Sequence, residues 1–254
     1  MKIRVLGCYG AEFPGFKTMS FLINGSVLLD AGSVTSSLTI EEQERISDIL
    51  ITHSHLDHIK DILFLADNLA GRIKSPINLI ATDEIIAIFQ GSFLNNMVWP
   101  DFTIIPTNND PVIRFKPIKA EESVRIDDLS VKAVEVNHTV KGVGYFITDT
   151  SGTILHSGDT GPTDRLWDIA NETEDLKAVF IETSFPNEMR RLAELSGHLT
   201  PGLLKEELNK FKRKGVPVYI IHMKPQYMEV LKKEIGEIGY PDLHFLEQGE
   251  ELTF

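Results

Sequence analysis

His53-Ser54-His55-Leu56-Asp57-His58 gathers three imidazoles and one carboxylate into six residues. Neutral imidazole and ionised carboxylate are the donors that hold divalent first-row cations, so the chemistry this run predicts is metal ligation. Extended side chains repeat every two residues, which sends His53 and His55 to one side, while the turn that follows can swing Asp57 and His58 toward a neighbouring position. Two adjacent metal sites can share the run. A chain of this composition would contain the pattern by chance roughly once in two thousand. Burying four such side chains together without an ion would leave them competing for partners at a cost.

Three later positions could complete two sites. His138 follows the apolar run 131–136, Asp159 lies in His156-Ser157-Gly158-Asp159-Thr160, and His222 closes the run 216–221. Each ends a strand-like stretch, the place from which a layered fold assembles a site along one edge. Taken singly, the histidines would read as ordinary surface or core residues and Asp159 as a turn residue. His198, preceded by Gly197 and outside this set, is a candidate acid or phosphate contact, since imidazole titrates near neutral pH. Its competing reading is a helix start beside Thr200 and Pro201. His156 and His244 read as structural.

The elements that must position these residues follow from hydrophobic period. Residues 2–7, 21–29 with a turn at Asn24-Gly25, and 48–52 read as strands. After His58 the apolar positions Ile59, Ile62, Leu63, Leu65, Ala66 and Leu69 fall at helical spacing and stop near Gly71, which puts the histidine run at a strand-to-helix junction. Residues 79–81, 113–115, 129–136, 143–148, 153–156 and 216–221 are further predicted strands, and 203–212 and 227–235 amphipathic helices. The segment 95–111, rich in Asn, Pro and Asp and containing Trp99 and Phe102, is predicted to be a long loop or lid. Strands with interspersed helices predict a layered α/β fold.

With 254 residues, 42% of them apolar and 24% charged, the chain can bury a sizeable core. It shows no repeat, low-complexity tract or linker, so a single domain over 1–254 is expected. Its 37 acidic against 25 basic side chains give a net charge of -12, which argues against a general grip on nucleic-acid backbones. Cys8, the one cysteine, excludes an internal disulfide and a cysteine-cluster metal site, and fits a reducing cytoplasm. The N-terminal apolar run is too short for a signal peptide, and runs such as 85–89 and 218–221 fall far below the roughly 18 residues a bilayer span requires. A soluble cytoplasmic protein is therefore expected.

Leu29-Asp30-Ala31-Gly32, the HxHxDH run and the spaced His138, Asp159 and His222 together resemble the metallo-β-lactamase superfamily. That resemblance implies a four-layer αββα sandwich with a two-metal site at one edge. One metal would be held by His53, His55 and His138, the other by Asp57, His58 and His222, with Asp159 bridging and a water or hydroxide between the metals as nucleophile. The leucine at position 56, Ile181-Glu182-Thr183-Ser184-Phe185-Pro186-Asn187 and Ser196-Gly197-His198-Leu199-Thr200-Pro201 are most similar to class II cyclic nucleotide phosphodiesterases. This implies hydrolysis of a phosphodiester, a 3',5'-cyclic nucleotide such as cyclic AMP going to the 5'-monophosphate. Asp57 would orient the water or take its proton, and Glu182 matches the acidic partner of His198. Asp61 departs from the pattern, which has Gly or Ser at that place, and the chain is short for the group.

The implied cofactors are two divalent ions, zinc first, with manganese or iron as alternatives. The expected partner is a small cyclic nucleotide rather than extended nucleic acid or a membrane, and a homodimer is the default assembly. Three other readings stay open: a nuclease of the tRNA 3'-processing type, a lactone or thioester hydrolase, and a non-catalytic metal- or nucleotide-binding protein.

Overall fold

The computed structural model describes all 254 residues. Its N-terminal half builds one seven-stranded sheet from β1 (Lys2–Gly7), β2 (Ser20–Ile23), β3 (Val27–Leu29), β4 (Asp48–Leu50) and β5 (Ile77–Ala81). A small ribbon, β6 (Pro106–Thr107) and β7 (Asp110–Pro111), precedes the sheet's β8 (Ile113–Pro117). The second sheet comprises β9 (Ser123–Ile126), β10 (Leu129–Glu135), β11 (Val143–Asp149), β12 (Gly152–His156), β13 (Leu176–Glu182), β14 (Val218–Ile221) and β15 (Leu243–Phe245). β16 (Glu251–Thr253) returns to the first sheet, whose order is β16-β1-β2-β3-β4-β5-β8, against β15-β14-β13-β12-β11-β10-β9 in the second.

The period of two along the strands creates the layers. In β10, Val131 and Ala133 face the space between the sheets while Val134 faces outward; in β13, Ala178 and Phe180 face inward while Val179 and Ile181 face outward. The inner residues meet Val5, Phe21, Ile23 and Leu50 of the first sheet in a central core. Outside the first sheet lie α1 (Ile40–Gln43), α2 (Leu56–Leu69) and α3 (Asp83–Ser92). Ile59, Ile62, Leu65, Ile85 and Phe89 pack there on Leu28, Ile49 and Leu79. Beyond the second sheet lie α4 (Arg165–Glu172), α5 (Arg190–Ser196), α6 (Pro201–Leu208) and α7 (Met228–Gly236). Of these, α4, α6 and α7 send Leu166, Trp167, Leu203, Leu204, Leu231 and Ile235 into the outer core of that sheet. The result is the expected αββα sandwich. No helix is long and apolar enough to cross a membrane.

The turn expected at Asn24-Gly25 makes 21–29 a hairpin: Asn24 (φ 48°) and Gly25 (φ 79°) take the positive φ values that reverse the chain between paired Ile23 and Val27. The helix predicted after His58 begins earlier, at Leu56, so Asp57 and His58 ride its first turn instead of a loop. The segment 95–111 carries the β6–β7 ribbon and is pinned: Trp99 Nε1 donates to the Leu63 carbonyl at 3.0 Å, and Phe102 is buried. α1, α3, α4, α5, β9, β13, β15 and β16 were not among the predicted elements.

Candidate metal centre

The apolar run of β4 continues to Ile51, and after Thr52 come the donors His53 and His55. His55 is the extended residue capping α2 (φ -70°, ψ 147°), and Asp57 in the first turn lies where the helix dipole favours a negative charge. Gly32 packs under this turn, where any side chain would collide with the Asp57 carbonyl oxygen. β10 and β12 are both antiparallel to β11, and β12, β13 and β14 run parallel, so β10, β12 and β14 deliver His138, Asp159 and His222 to one edge. His222 adopts a left-handed backbone (φ 61°), strained for a residue with a side chain, and its N–H is held by the Cys8 carbonyl at 2.7 Å.

Three groups of donors form, two of them around Asp159 and a third of Glu182, His198 and His222. The donor atoms of His53, His55, His138 and Asp159 lie within 4.8 Å of one another, as do those of Asp57, His58, Asp159 and His222. His55 Nδ1 is 3.1 Å from His138 Nε2, and His53 Nε2 is 3.6 Å from Asp159 Oδ2. On the other side His58 Nε2 is 3.4 Å from Asp159 Oδ1, while His222 Nε2 is 3.2 Å from both Asp57 Oδ2 and Asp159 Oδ2. Asp159 thus belongs to both groups. All seven residues named from the sequence are brought together.

A ring of outer contacts orients the imidazoles. His58 Nδ1 donates to Asp30 Oδ2 at 2.7 Å, His138 Nδ1 to the Gly197 carbonyl at 2.8 Å, and His222 Nδ1 to Ser184 Oγ at 2.8 Å. Thr52 gives its hydroxyl proton to Asp30 Oδ2 (2.8 Å) and accepts from His53 Nδ1 (3.0 Å). With Nδ1 protonated, each of these four rings turns a lone pair on Nε2 toward the centre. His53 Nε2 and His58 Nε2 are buried without any hydrogen-bond partner. The His138 Nε2 lone pair facing His55 Nδ1, two orphaned nitrogens and two carboxylates are a donor set that fits a pair of divalent cations.

Electrostatics agrees. Burial first, then the neighbouring His58, pushes His53 well below the usual imidazole range, and burial lowers His55 and His138 too, so all three stay neutral and able to ligate. Burial opposes charge on His58, yet the Asp159, Asp30 and Asp57 carboxylates outweigh it and hold that ring well above its ordinary value, so a cation bound there would take the place of the Nε2 proton. Burial likewise opposes charge on Asp159 and Asp57, and the surrounding imidazoles, His222 and His58 foremost, keep both carboxyls ionised.

His198 and Glu182 sit beside this centre. His198 Nδ1 donates to Glu182 Oε1 at 2.7 Å and lies 4.0 Å from Asp159 Oδ2. Burial pushes the His198 pKa down, but the Glu182 charge and hydrogen bond raise it overall. Glu182, fully buried on β13, also accepts from the Thr160 N–H (3.2 Å) and from Ser184 Oγ (3.0 Å), so its oxygens are already engaged by hydrogen bonds. The helix-start reading is realised as well: Thr200 caps α6, accepting from the Leu203 N–H at 3.3 Å. His156 is buried, its Nδ1 accepting from the Gly158 N–H at 3.1 Å, and His244 stacks on Tyr219.

Sequence reasoning assigned no role to Asp30, Thr52 and Ser184. Asp30 and Ser184 lay within the stretches 29–32 and 181–187 that carried the resemblance, but neither stretch said which imidazole they would meet. The unusual Asp61 is buried and accepts from the Thr35 N–H and hydroxyl at 2.8 and 2.9 Å, which ties the loop after Asp30 to α2.

A family model described as the beta-lactamase superfamily domain matches residues 23–223. A 3',5'-cyclic-nucleotide phosphodiesterase of Aliivibrio fischeri is 26% identical over 98% of this chain and 90% of that relative. Among solved structures, unliganded yeast PDE1 superposes with a TM-score of 0.86 at 18% identity, covering 100% of this chain and 99% of the other. The metallo-beta-lactamase fold protein YhfI from Bacillus subtilis gives 0.80 at 18% identity, covering 99% of each. The match across most of the chain, on a fold that gathers two histidine–carboxylate groups at one edge, places this protein in the beta-lactamase superfamily, with the metallo-β-lactamase fold of metal-dependent hydrolases.

Proposed function

We propose that this chain is a two-cation phosphodiesterase that opens a 3',5'-cyclic nucleotide, cyclic AMP first, to the 5'-monophosphate. The observation that carries this reading is the Glu182–His198 pair set beside two donor groups that share Asp159. Cations bound by His53, His55, His138 and Asp159 on one side and by Asp57, His58, His222 and Asp159 on the other would lower the pKa of water and neutralise charge building on phosphoryl oxygens. Histidines mixed with carboxylates suit zinc, and manganese or iron can take such donors.

The chain's own groups supply the rest. The Asp57 side chain is 29% exposed against 3% for Asp159, so it is the carboxylate that meets incoming water and can orient it or take its proton. Glu182 fixes His198 through Nδ1, leaving Nε2 to hand a proton to the departing 3' oxygen. The net charge of -12 favours a small substrate over a transfer RNA, which would need a basic docking surface. The relative from Aliivibrio fischeri, matched over nearly its whole length, supports the same substrate class.

The test is 5'-AMP formation from 3',5'-cyclic AMP by protein reloaded in turn with zinc, manganese and iron, with Asp57→Asn as control. Turnover lost in the variant is expected. Full metal occupancy without turnover would reject cyclic AMP, and linear diester, lactone and thioester substrates run alongside would then show which bond is cut.

A further inference from the structure

Lys224 lies two residues beyond His222 and is half-buried. Its ammonium donates to the Gly10 carbonyl at 2.8 Å and sits 5.2 Å from the centre of the Phe185 ring. Both partners in turn touch imidazoles of the site. Gly10 lies directly on the His222 ring: a Cβ there would be 2.6 Å from His222 Nδ1 and 2.7 Å from Cε1. Phe185 in turn packs edge-on against His198, ring centres 5.7 Å apart, and His198 stacks on His222 at 5.3 Å. The Lys224 charge is close enough to act on His198, opposing protonation of the ring.

The chemistry of this placement is uneconomical unless an anion comes. Lys2, Lys60, Lys210 and Lys232 each face a carboxylate within 4 Å, whereas Lys224, like Lys17, hydrogen-bonds neutral groups. Two divalent cations against the carboxylates of Asp57 and Asp159 would leave the centre net positive, and an ammonium fixed nearby would be repelled by it. A negatively charged ligand lying between them removes that repulsion and gains two attractions. One bond to Gly10 leaves Lys224 two N–H donors for such a group.

We propose that Lys224 is an anion contact of this site, on the His198 side, which selects substrates bringing a negative phosphoryl oxygen there; this rests on the phosphodiesterase reading. A neutral ester or lactone would gain nothing from it. A carboxylate has the same charge and could use the same contact, so the experiment separates the two.

Zinc-loaded wild type, Lys224→Gln, Lys224→Met and Lys224→Arg are compared, with zinc content and Tm confirming that each variant folds and loads. Binding of inorganic phosphate and of acetate is measured by calorimetry. Hydrolysis of anionic bis(p-nitrophenyl) phosphate is compared with that of a neutral p-nitrophenyl phosphotriester. Phosphate affinity is expected to fall about tenfold or more in the Gln and Met variants, the size of one lost charge-assisted hydrogen bond, and to be largely kept in the Arg variant. The diester-to-triester ratio of kcat/KM should fall in parallel, through KM. Unchanged phosphate binding or an unchanged ratio in Lys224→Gln overturns the proposal, and so does acetate binding as tightly as phosphate with the same dependence on Lys224. If wild type cleaves neither ester, the phosphodiesterase reading has failed, and phosphate binding alone still decides whether Lys224 is the contact.

Discussion

Asp159 turns one oxygen toward His58 and the other toward His53 and His222, so both donor groups depend on a single carboxylate. Asp159→Ala is expected to drop bound zinc from about two ions per chain to about none, read by elemental analysis after gel filtration. Asp30 acts one step further out. Asp30→Asn removes the charge that orients His58 and should weaken metal binding by about 10- to 100-fold, measured by competition with a chromophoric chelator. Cys8 has no part in this chemistry: burial, helped by Glu250 and Glu247, raises its thiol far above the ordinary range. It should stay inert to a thiol reagent in the folded protein and react only on unfolding; labelling at a free-thiol rate would contradict its burial. At this scale the sequence was most readable where donors cluster or end an apolar run, as in 53–58, His138, Asp159 and His222. Asp30 lies 28 residues from its partner His58, and Ser184 lies 38 from His222, so those pairings exist only once β3 has paired with β4 and β13 with β14.

Among the elements, α2 was legible because its apolar positions repeat at helical spacing over four turns, whereas α1 spans four residues and offers no period to read. Its local signal was Thr39 and Glu42, a reciprocal cap in which the Thr39 hydroxyl accepts from the Glu42 N–H and the Glu42 carboxylate accepts from the Thr39 N–H. α6 carries a second hidden anchor. Its buried Glu207 accepts from Trp167 Nε1 of α4 at 2.8 Å, from the Thr163 N–H at 3.0 Å and from Lys210 at 2.7 Å. That carboxylate ties two helices to the segment leading out of Asp159. Glu207→Ala leaves the indole and amide donors unpaired and should cost about 2–3 kcal/mol. A Tm lower by several degrees in calorimetry is the expected readout.

Across the whole molecule, the donors divide between the sheets: His53 to His58 follow the first, while His138, Asp159 and His222 follow the second. Cations bound at the edge would therefore brace the two sheets against each other as well as serve chemistry. Zinc at about a thousandfold over its dissociation constant should stabilise the folded state by about 4 kcal/mol. Chelation should lower Tm accordingly, and a Tm indifferent to metal that is demonstrably bound would show that the edge braces nothing. The pairing of β1 with β16 has a different consequence. Lys2 lies opposite Thr253 and Ile3 opposite Leu252, so β1 waits for a partner strand that is synthesised well over two hundred residues later. At ribosomal speed that wait lasts on the order of tens of seconds, during which the nascent first sheet has a bare apolar rim exposed to other chains. A ribosome stalled shortly before residue 251 would hold every metal donor already translated and still lack the strand that seals the sheet, so the vulnerable window in this protein's life is its synthesis.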